Sequence, residues 1–329
     1  MGKTTIEWCD MSVNPVRARH KATGKVGHFC VKVSPGCAHC YSSRMQPRFG
    51  MPPFEARYAD QVEPFFDEHV LDEVVRRKKP TKWFWCDMSD LFGEWVPDLW
   101  IDQCFSTMAR TPQHTHQILS KRVVRMQTYS LGLARLSAKE RSRRFIAAMY
   151  ADHPARRLVT GTSIPDERVG GTPWPLKNVW FGHSVENQAT ADQRLWRLRQ
   201  TPAAVRFVSY EPALAAVDFK LLPHSCYVGA EHSPKLDLII IGGESGPDAR
   251  PFDLAWARSA IAQCRAAGVK AFFKQAGSRP VIDEEETLEG WPDHVVRDTR
   301  RPGAIRLRDR KGGDLEELPA EFHVREFPS

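Results

Sequence analysis

The sequence lacks the features that define several large classes of protein. None of its apolar runs approaches the roughly 18 residues that cross a bilayer, so we expect no membrane contact. Its first residues lack a basic stretch followed by an apolar one, the pattern of a secretory signal, and Ile6 stands where N-myristoylation requires Ser or Thr. It has no internal repeat and no low-complexity tract. These absences predict a globular cytoplasmic protein.

Positive charge is concentrated in two segments. Residues 11–54 contain seven basic side chains and no acidic one, and residues 120–157 contain ten basic side chains against two acidic ones. The whole chain has a net charge of +7, so its other residues together carry −8. Clustered Lys and Arg bind polyphosphates by releasing counterions, which favours a DNA, RNA or nucleotide substrate. The alternative is an ordinary solvated basic face.

Short apolar runs alternate with amphipathic stretches along the chain, which predicts an α/β fold. The runs show no polar alternation, as expected for parallel strands that are buried on both faces. The predicted strands are Glu7–Val13, Lys82–Cys86, Thr115–Leu119, Val179–His183, Val205–Ser209, Leu236–Ile241 and Val269–Phe273. The predicted helices are Pro64–Arg77, Pro97–Arg110, Lys121–Leu133, Thr190–Gln200 and Asp253–Ala267. In the last helix, Asp253 is the expected N-cap and Gly268 the expected C′ residue.

Two regions interrupt this alternation. Residues 134–176 combine Arg-rich sequence with a Gly- and Pro-rich end, and they are predicted to be a basic insertion. Residues 278–329 carry an acidic run and then polar, Pro-punctuated sequence, which predicts a C-terminal appendage packed on the main domain. The predicted main domain is therefore 1–277.

Polar residues follow nearly every predicted strand. Because the carboxyl ends of parallel strands meet at one edge of a sheet or barrel, where ligands bind, these residues predict a site. The alternative is that loops after strands are polar in any protein. The residues are Asp87, Ser89 and Asp90; Ser120, Lys121 and Arg122; Ser184, Glu186 and Asn187; Tyr210 and Glu211; Glu244 and Ser245; and Lys274 and Gln275.

Three of the eight cysteines form a C-x6-C-x2-C array, namely Cys30, Cys37 and Cys40. Three thiolates can bind three irons of a 4Fe-4S cluster and leave the fourth iron open. They can equally bind zinc with His28 or His39 as a fourth ligand. The remaining alternative is unliganded thiols.

The other cysteines carry a weaker signal. A reducing compartment makes disulfides unexpected. Cys104 and Cys264 lie at helical spacing among apolar residues and are predicted to be core residues, while Cys9 and Cys86 flank strands and are predicted to pack. Cys226 lies near His224 and His232, which is weak support for a metal.

Several stretches resemble a known family. They are IEWCD with NPV, KVSPGCAHCY, MSDLF, QILSKR, VWFGHSVENQ, VRFVSYEPAL, IIIGGESGPDARPF, FFKQAG and GGDLEELPAEFHVREFP. Together they resemble the three-Cys-motif family of phage and mobile-element proteins, which looks like a distant branch of the radical S-adenosylmethionine superfamily, near spore photoproduct lyase. The resemblance covers nearly the whole chain apart from residues 134–176 and 17–28.

The resemblance implies a partial (β/α)6 TIM-like barrel and a set of site residues. Cys30, Cys37 and Cys40 match the metal ligands. The resemblance implies S-adenosylmethionine binding by Asp87, Ser89 and Asp90 at the amino group, by Lys121 and Arg122 at the carboxylate, and by Ser184, Glu186 and Asn187 at the ribose. Glu211 and Glu244 would line the substrate side as catalytic residues.

Two departures from the superfamily pattern stand out. Most superfamily members space these cysteines as C-x3-C-x2-C, so this loop is longer between the first two. The GGE triplet follows the sixth strand rather than the second, so the superfamily's methionine-amine role is not assigned to it.

The activity implied by the resemblance is that of a radical S-adenosylmethionine enzyme that carries a 4Fe-4S cluster. It would generate a 5′-deoxyadenosyl radical and act on nucleic acid or a nucleotide. Such an enzyme needs an electron donor such as a flavodoxin or ferredoxin, and the family implies a partner protein. The alternative is a zinc-binding, nucleic-acid-binding protein without catalysis, and a third option is a barrel that keeps its cluster only for structure.

Overall fold

The computed structural model describes residues 2–151, 171–221 and 235–328. Cys226, His224 and His232 lie outside the described residues, and so do residues 152–170 of the predicted insertion.

The described strands number fifteen, several of them only two residues long. They are β1 (Gly2–Lys3), β2 (Met11–Val13), β3 (Val16–His20), β4 (Val26–Gly27), β5 (Val62–Phe66), β6 (Lys82–Trp85), β7 (Thr115–Ser120), β8 (Val179–Ser184), β9 (Val205–Tyr210), β10 (Leu238–Gly242), β11 (Phe252–Asp253), β12 (Lys270–Gln275), β13 (Pro280–Val281), β14 (Val296–Arg297) and β15 (Ile305–Arg306).

Seven α-helices lie within the described residues. They are α1 (Tyr41–Met45), α2 (His69–Arg76), α3 (Asp98–Arg110), α4 (Val123–Arg135), α5 (Ala138–Tyr150), α6 (Gln188–Gln200) and α7 (Leu254–Ala267). In the part of the chain that the structure describes, none of the helices has the length and apolarity needed to span a membrane.

The main sheet has eight strands in the order β1-β2-β6-β7-β8-β9-β10-β12. Strand β1 is antiparallel to β2, and the other seven are parallel. The run Trp83-Phe84-Trp85 and every residue of β8 and β10 are buried, as expected for parallel strands with both faces covered. The predicted fold class, an α/β fold with a partial TIM-like barrel, is confirmed.

The chain divides into two compact units. The first comprises the described residues of Met1–Val33, Cys40–Gly182 and Thr201–Val205, and the second those of Ser34–His39, His183–Gln200 and Arg206–Ser329. The predicted boundary between a main domain at 1–277 and a C-terminal appendage stays a prediction.

Two sequence predictions of local structure were wrong. The segment predicted to begin a helix at Pro64 instead ends β5, which pairs antiparallel with β3 and places Pro64 opposite Ala18. Pro64 has no N–H for a helical ladder, and β5 is an edge strand of the order β4-β3-β5, where proline is tolerated. The first strand of the parallel sheet is also shorter than predicted, since only Met11–Val13 pairs with β6.

The ends of α7 match the prediction. The Asp253 side chain accepts a hydrogen bond from the Ala255 N–H at 2.8 Å, which is the expected N-cap contact. Gly268 has a φ of 65°, the left-handed conformation that ends many helices and that glycine adopts without strain.

The arginines of the basic segment 120–157 help to pack the first unit. Arg141 is buried, and it donates to the carbonyl of Thr172 at 2.9 Å and to that of Leu133 at 3.0 Å. Arg144 bridges α5 to α3 through the Asp102 carboxylate at 2.8 Å. Part of the positive charge in this segment therefore takes part in internal contacts.

The C-terminal residues of the second unit lie along β12. The Phe273 N–H donates to Val324 O at 2.7 Å, and the Glu326 N–H donates to Ala271 O at 3.0 Å. Phe322 is buried and packs on Phe273 at 5.1 Å between ring centroids. These bonds occupy backbone groups at the end of the main sheet that would otherwise offer an open edge.

Phe105 joins the aromatic core of the first unit, since its ring lies 5.3 Å from Tyr129, 5.5 Å from Trp174 and 5.8 Å from Phe181. We expect Phe105→Ala to lower the free energy of unfolding by about 3–5 kcal/mol, because it leaves a cavity among these rings. Urea unfolding followed by fluorescence measures the change. The control is Leu99→Ala on the same helix, which is 38% exposed and should cost less than about 0.5 kcal/mol. Equal losses in the two variants would contradict this account of the core.

Candidate functional site

The loop after β6 begins with an unusual backbone conformation. Cys86 has a φ of 59°, which a residue with a side chain rarely adopts. Such conformations persist only where the surrounding structure fixes them, and they are enriched at functional sites. The loop that follows carries Asp87, Ser89 and Asp90.

The Asp90 carboxylate is the centre of a buried network in the first unit. It accepts hydrogen bonds from the Ser120 hydroxyl at 2.8 Å, from the Phe92 N–H at 3.0 Å and from the Lys121 N–H at 3.1 Å. The Arg122 guanidinium lies 3.3 Å from its second oxygen. Asp90 thereby joins the loops that follow β6 and β7.

Arg122 extends this network to the first cysteine. Its Nη1 donates to the Cys30 sulfur at 3.6 Å, and its Nη2 donates to the Val31 carbonyl at 2.8 Å. Its Nε lies 3.4 Å from Glu94, and its guanidinium stacks over the Trp95 ring at 5.1 Å. Burial by itself lowers the pKa of Arg122, but the negative groups Asp90, Cys30 and Glu94 outweigh burial and raise it. The side chain is therefore a fixed positive charge beside Cys30.

The segment after Cys40 is tied to the same loop. The Tyr41 hydroxyl donates to Asp87 O at 2.8 Å, and the Ser42 hydroxyl donates to Met88 O at 2.8 Å. The Asp87 carboxylate also accepts from the Asn14 amide at 2.6 Å. Ser89 lies one turn beyond Cys86, with its N–H bonded to the Cys86 carbonyl at 3.1 Å.

Residues 34–39, which carry Cys37, belong to the second unit and are fixed there by several hydrogen bonds. Ser34 donates to the Glu186 carboxylate at 2.7 Å, and its hydroxyl lies 3.7 Å from the Cys37 sulfur. The Pro35 carbonyl accepts from Arg250 at 3.0 Å. Pro35–Cys37 forms a single 3-10 turn. The turn that presents Cys37 is thus anchored by side chains that follow β8 and β10.

The predicted ribose-binding residues after β8 make local contacts. Glu186 is fully buried, and Arg194 donates to it at 3.1 Å and to the Ser184 carbonyl at 2.6 Å. The Asn187 side chain accepts from the Thr190 N–H at 3.0 Å, which caps the start of α6. These side chains order the loop after β8, and their role in binding the ribose stays a prediction.

Glu244 is contacted by Arg250 and His39 in the second unit. Arg250 contacts its carboxylate through its backbone N–H at 3.0 Å and through its guanidinium at 2.8 and 3.0 Å, and His39 Nδ1 lies 3.0 Å away. Burial raises the pKa of Glu244, but the hydrogen bonds from Arg250 and His39 outweigh burial and lower it to about 2. Glu244 is therefore ionised at neutral pH.

Glu211 pairs with Lys274, one of the polar residues that the sequence analysis found after the strands, although it did not predict this pairing. Lys274, near the end of β12, lies 2.6 Å from the Glu211 carboxylate, and both side chains are largely buried. A Cβ at Gly242 would lie 3.5 Å from Glu211, so the end of β10 passes close to this pair.

The donor set fits an iron–sulfur cluster in its chemistry. The seven described cysteines are all thiols, and Cys30, Cys37 and Cys40 are partly exposed whereas Cys9, Cys86, Cys104 and Cys264 are buried. The buried Arg122 beside Cys30 suits a sulfur that carries negative charge. Within the described residues, no group of three or more His, Cys, Asp or Glu side chains is already gathered as a metal site.

Comparison with known proteins places this chain in a family. The profile described as "Protein of unknown function (DUF5131)" matches residues 3–307. The chain belongs to the DUF5131 family. No curated protein matches it. A mutant of spore photoproduct lyase is a weak structural match, with a TM-score of 0.31 and 11% sequence identity over 86% of this chain and 74% of that one. Membership of DUF5131 leaves the resemblance to the three-Cys-motif family a prediction.

The anchoring residues that sequence reasoning missed are Arg250, Arg194, Ser34 and Trp95, and for Lys274 it missed the partner. Arg250 follows Glu244 by six residues in the segment between β10 and β11, and Arg194 follows Glu186 by eight residues, within α6. A search for a basic residue within eight positions after each polar residue would have found these two. Nothing in the sequence points from Glu211 to Lys274, because the two lie 63 positions apart.

The depressed pKa of Glu244 predicts a pH-dependent contribution to stability. Its ionised form is favoured in the folded protein, so the contribution is present above the ordinary glutamate pKa and is lost as the pH falls toward 2. We expect Glu244→Gln to lower the free energy of unfolding by about 2 kcal/mol at pH 7. The difference from wild type should shrink as the pH falls from about 4.5 to about 2.

Denaturant titrations across this pH range measure the difference between wild type and Glu244→Gln. The control is Glu289→Gln, an exposed glutamate of the same unit, which should change little at any pH. A pH-independent difference for Glu244→Gln would show that the carboxylate charge does not contribute.

Proposed function

We propose that this protein is a radical S-adenosylmethionine enzyme in which Cys30, Cys37 and Cys40 hold a 4Fe-4S cluster. The observation that carries the proposal is the loop of three partly exposed thiols whose first sulfur accepts a hydrogen bond from the buried Arg122. Three thiolates leave one iron open for S-adenosylmethionine. When bound, these cofactors supply a 5′-deoxyadenosyl radical that abstracts hydrogen from a substrate.

The protein's own residues would position the cofactors. Asp90 orders the backbone of Lys121 and Arg122, and Tyr41 fixes the segment after Cys40 on Asp87. We propose that Asp87, Ser89, Asp90 and Lys121 form the S-adenosylmethionine end of the site, next to Arg122 at Cys30. The residues after β8 that we propose for the ribose end are Ser184, Glu186 and Asn187.

The substrate side would be formed by two carboxylates that differ in their partners. Glu244 is ionised at neutral pH, so it would accept hydrogen bonds from a substrate rather than donate a proton. Glu211 shares a short contact with Lys274, and this pair could pass a proton to or from a bound substrate. Both roles are proposals that rest on the position of these residues after β9 and β10.

Anaerobic reconstitution with iron and sulfide tests the proposed activity. With dithionite and S-adenosylmethionine, we expect the wild type to release 5′-deoxyadenosine, because a cluster held by the three cysteines would pass on the electron that breaks the sulfonium carbon–sulfur bond. Chromatography with mass detection measures the product. We expect Cys30→Ala to fall to background, and Cys104→Ala, a buried core cysteine, serves as the control that retains activity. Equal release from wild type and Cys30→Ala would reject the proposal.

We propose nucleic acid or a nucleotide as the substrate, on the strength of the first basic segment. Six of its seven basic residues are exposed, and Tyr41 and Phe49 are exposed among them at 46% and 40%. The Lys25 side chain lies against Gly50, beside Phe49. Exposed basic and aromatic side chains together are typical of surfaces that bind single strands. The exposed basic residues are Arg19, Lys21, Lys25, Lys32, Arg44 and Arg48.

Fluorescence anisotropy with a single-stranded oligonucleotide at several salt concentrations tests this surface. The triple variant Lys21→Ala, Lys25→Ala, Arg48→Ala should bind more weakly. The slope of the logarithm of the binding constant against the logarithm of the salt concentration should fall in magnitude by about 2. The variant loses three cations, and each phosphate contact to a single strand contributes about 0.7 to this slope. The control replaces three exposed basic residues of the second segment, Arg135, Lys139 and Arg143, and should bind like wild type. If the control variant bound more weakly than the first triple variant, the result would contradict this proposal and would place the binding surface on α4 and α5.

One observation favours the alternative of a zinc-binding protein that binds nucleic acid without catalysis. His39 bonds through Nδ1 to the Glu244 carboxylate, which is how many zinc-ligating histidines are oriented. Metal analysis of the purified protein decides between the two. Iron with equimolar sulfide and a brown colour supports the cluster, whereas a colourless protein with one zinc supports the alternative. Iron without cleavage of S-adenosylmethionine would indicate a cluster with a structural role.

The proposed chemistry implies further partners. One electron is needed for each cleavage of S-adenosylmethionine, so we propose a flavodoxin or ferredoxin as donor and the cytoplasm as the compartment. We also propose a partner protein, because the resemblance to the three-Cys-motif family implies one.

A further inference from the structure

We propose that Arg122 sets the reduction potential of the cluster at the cysteine loop by donating a charged hydrogen bond to the Cys30 sulfur. This inference rests on the proposed function and adds a tuning residue to it. The Nη1–Sγ distance is 3.6 Å, and the guanidinium is only 5% exposed. Water therefore screens this charge weakly, and its effect on the sulfur is strong.

The guanidinium has little freedom to move away from the sulfur. Asp90 holds Nη1, the Val31 carbonyl accepts from Nη2, and Glu94 lies at Nε. The Trp95 ring covers one face of the guanidinium and in turn packs on Phe29, directly before Cys30. Arg122 donates to both the Cys30 sulfur and the Val31 carbonyl, so its guanidinium is already fixed next to the cysteine that would bind the cluster.

The same contacts make Arg122 a poor ligand for a free carboxylate. Arginine has five N–H donors, and the contacts to Glu94, Cys30, Asp90 and Val31 engage four of them. A bidentate carboxylate contact requires two parallel N–H groups. The structure thus assigns Arg122 to the cluster side of the site and leaves the neighbouring Lys121 as the cation for the S-adenosylmethionine carboxylate.

The direction of the effect follows from charge. Reduction adds one electron, supplied by a low-potential donor, to a cluster whose negative charge extends onto its cysteine sulfurs. A fixed positive donor stabilises the reduced form more than the oxidised form, so it raises the potential. Asp90 opposes Arg122 because its negative charge lies beside the same guanidinium. Neutralising one residue or the other should therefore shift the potential in opposite directions.

Full-length wild type, Arg122→Gln and Asp90→Asn are reconstituted anaerobically and titrated with dithionite without S-adenosylmethionine, and the reduced cluster is followed by electron paramagnetic resonance. We expect Arg122→Gln to shift the reduction equilibrium about tenfold toward the oxidised form, which is about 59 mV for one electron. We expect Asp90→Asn to shift it the other way. The control is Arg125→Gln, which removes an arginine three residues further along the chain, on α4. Arg125 donates to the Gly93 and Val96 carbonyls and to Asp98, so its replacement should leave the reduction potential unchanged.

Iron and sulfide content and circular dichroism accompany each titration. Opposite shifts in the two variants support the inference, because a merely structural role would not reverse sign. Should Arg122→Gln fail to fold, Asp90→Asn still decides the matter. Loaded, folded variants with the wild-type potential would overturn the inference while leaving the proposed function standing. A wild-type protein that binds no iron or sulfide would instead reject both.

Discussion

The structure of the candidate site depends on a buried ion pair between Asp90 and Arg122. Both side chains are almost completely removed from water, and taking two charges out of water costs more than their attraction returns unless other hydrogen bonds satisfy them. Here three further donors satisfy Asp90, while Val31 and Cys30 accept from Arg122. Such a pair is poorly explained as a source of stability. It is better explained as a device that fixes the loops after β6 and β7 against the chain at Cys30.

The same device recurs in the second unit, where two of the carboxylates that follow strands each pair with an arginine. Glu186 is held by Arg194, and Glu244 by Arg250. Both carboxylates also hold the turn around Cys37, through Ser34 and His39. The polar residues that follow the strands therefore act first as supports for the cysteine segment. Such supports would hold Cys37 in a fixed position, which its proposed role as a cluster ligand requires.

The parallel strands could be predicted because runs such as Trp83–Trp85 and Leu238–Gly242 are apolar without alternation, and the cap at Asp253 because it depends on neighbouring residues alone. The strand β5 was missed because its sequence pattern resembles the start of an amphipathic helix, while its real partner, β3, lies more than 40 residues earlier. The cysteines and the residues after the strands could be identified as candidates. Their partners could not, because the contact between Arg122 and Cys30 joins residues 92 positions apart and depends on the register of the whole sheet.

The basic segments show why a count of charges in sequence is an incomplete guide to a surface. In residues 120–157, Arg122 and Arg141 are buried, and Arg125 and Arg144 are paired with aspartates, so much of this charge never reaches the solvent as a free cation. In residues 11–54, Arg17 pairs with Asp67, and the other six basic side chains are exposed. A polyphosphate responds to the field at the surface rather than to the composition of a segment. The smaller cluster in the sequence is therefore the stronger candidate for contact with nucleic acid, and it is also the cluster that contains the cysteine loop.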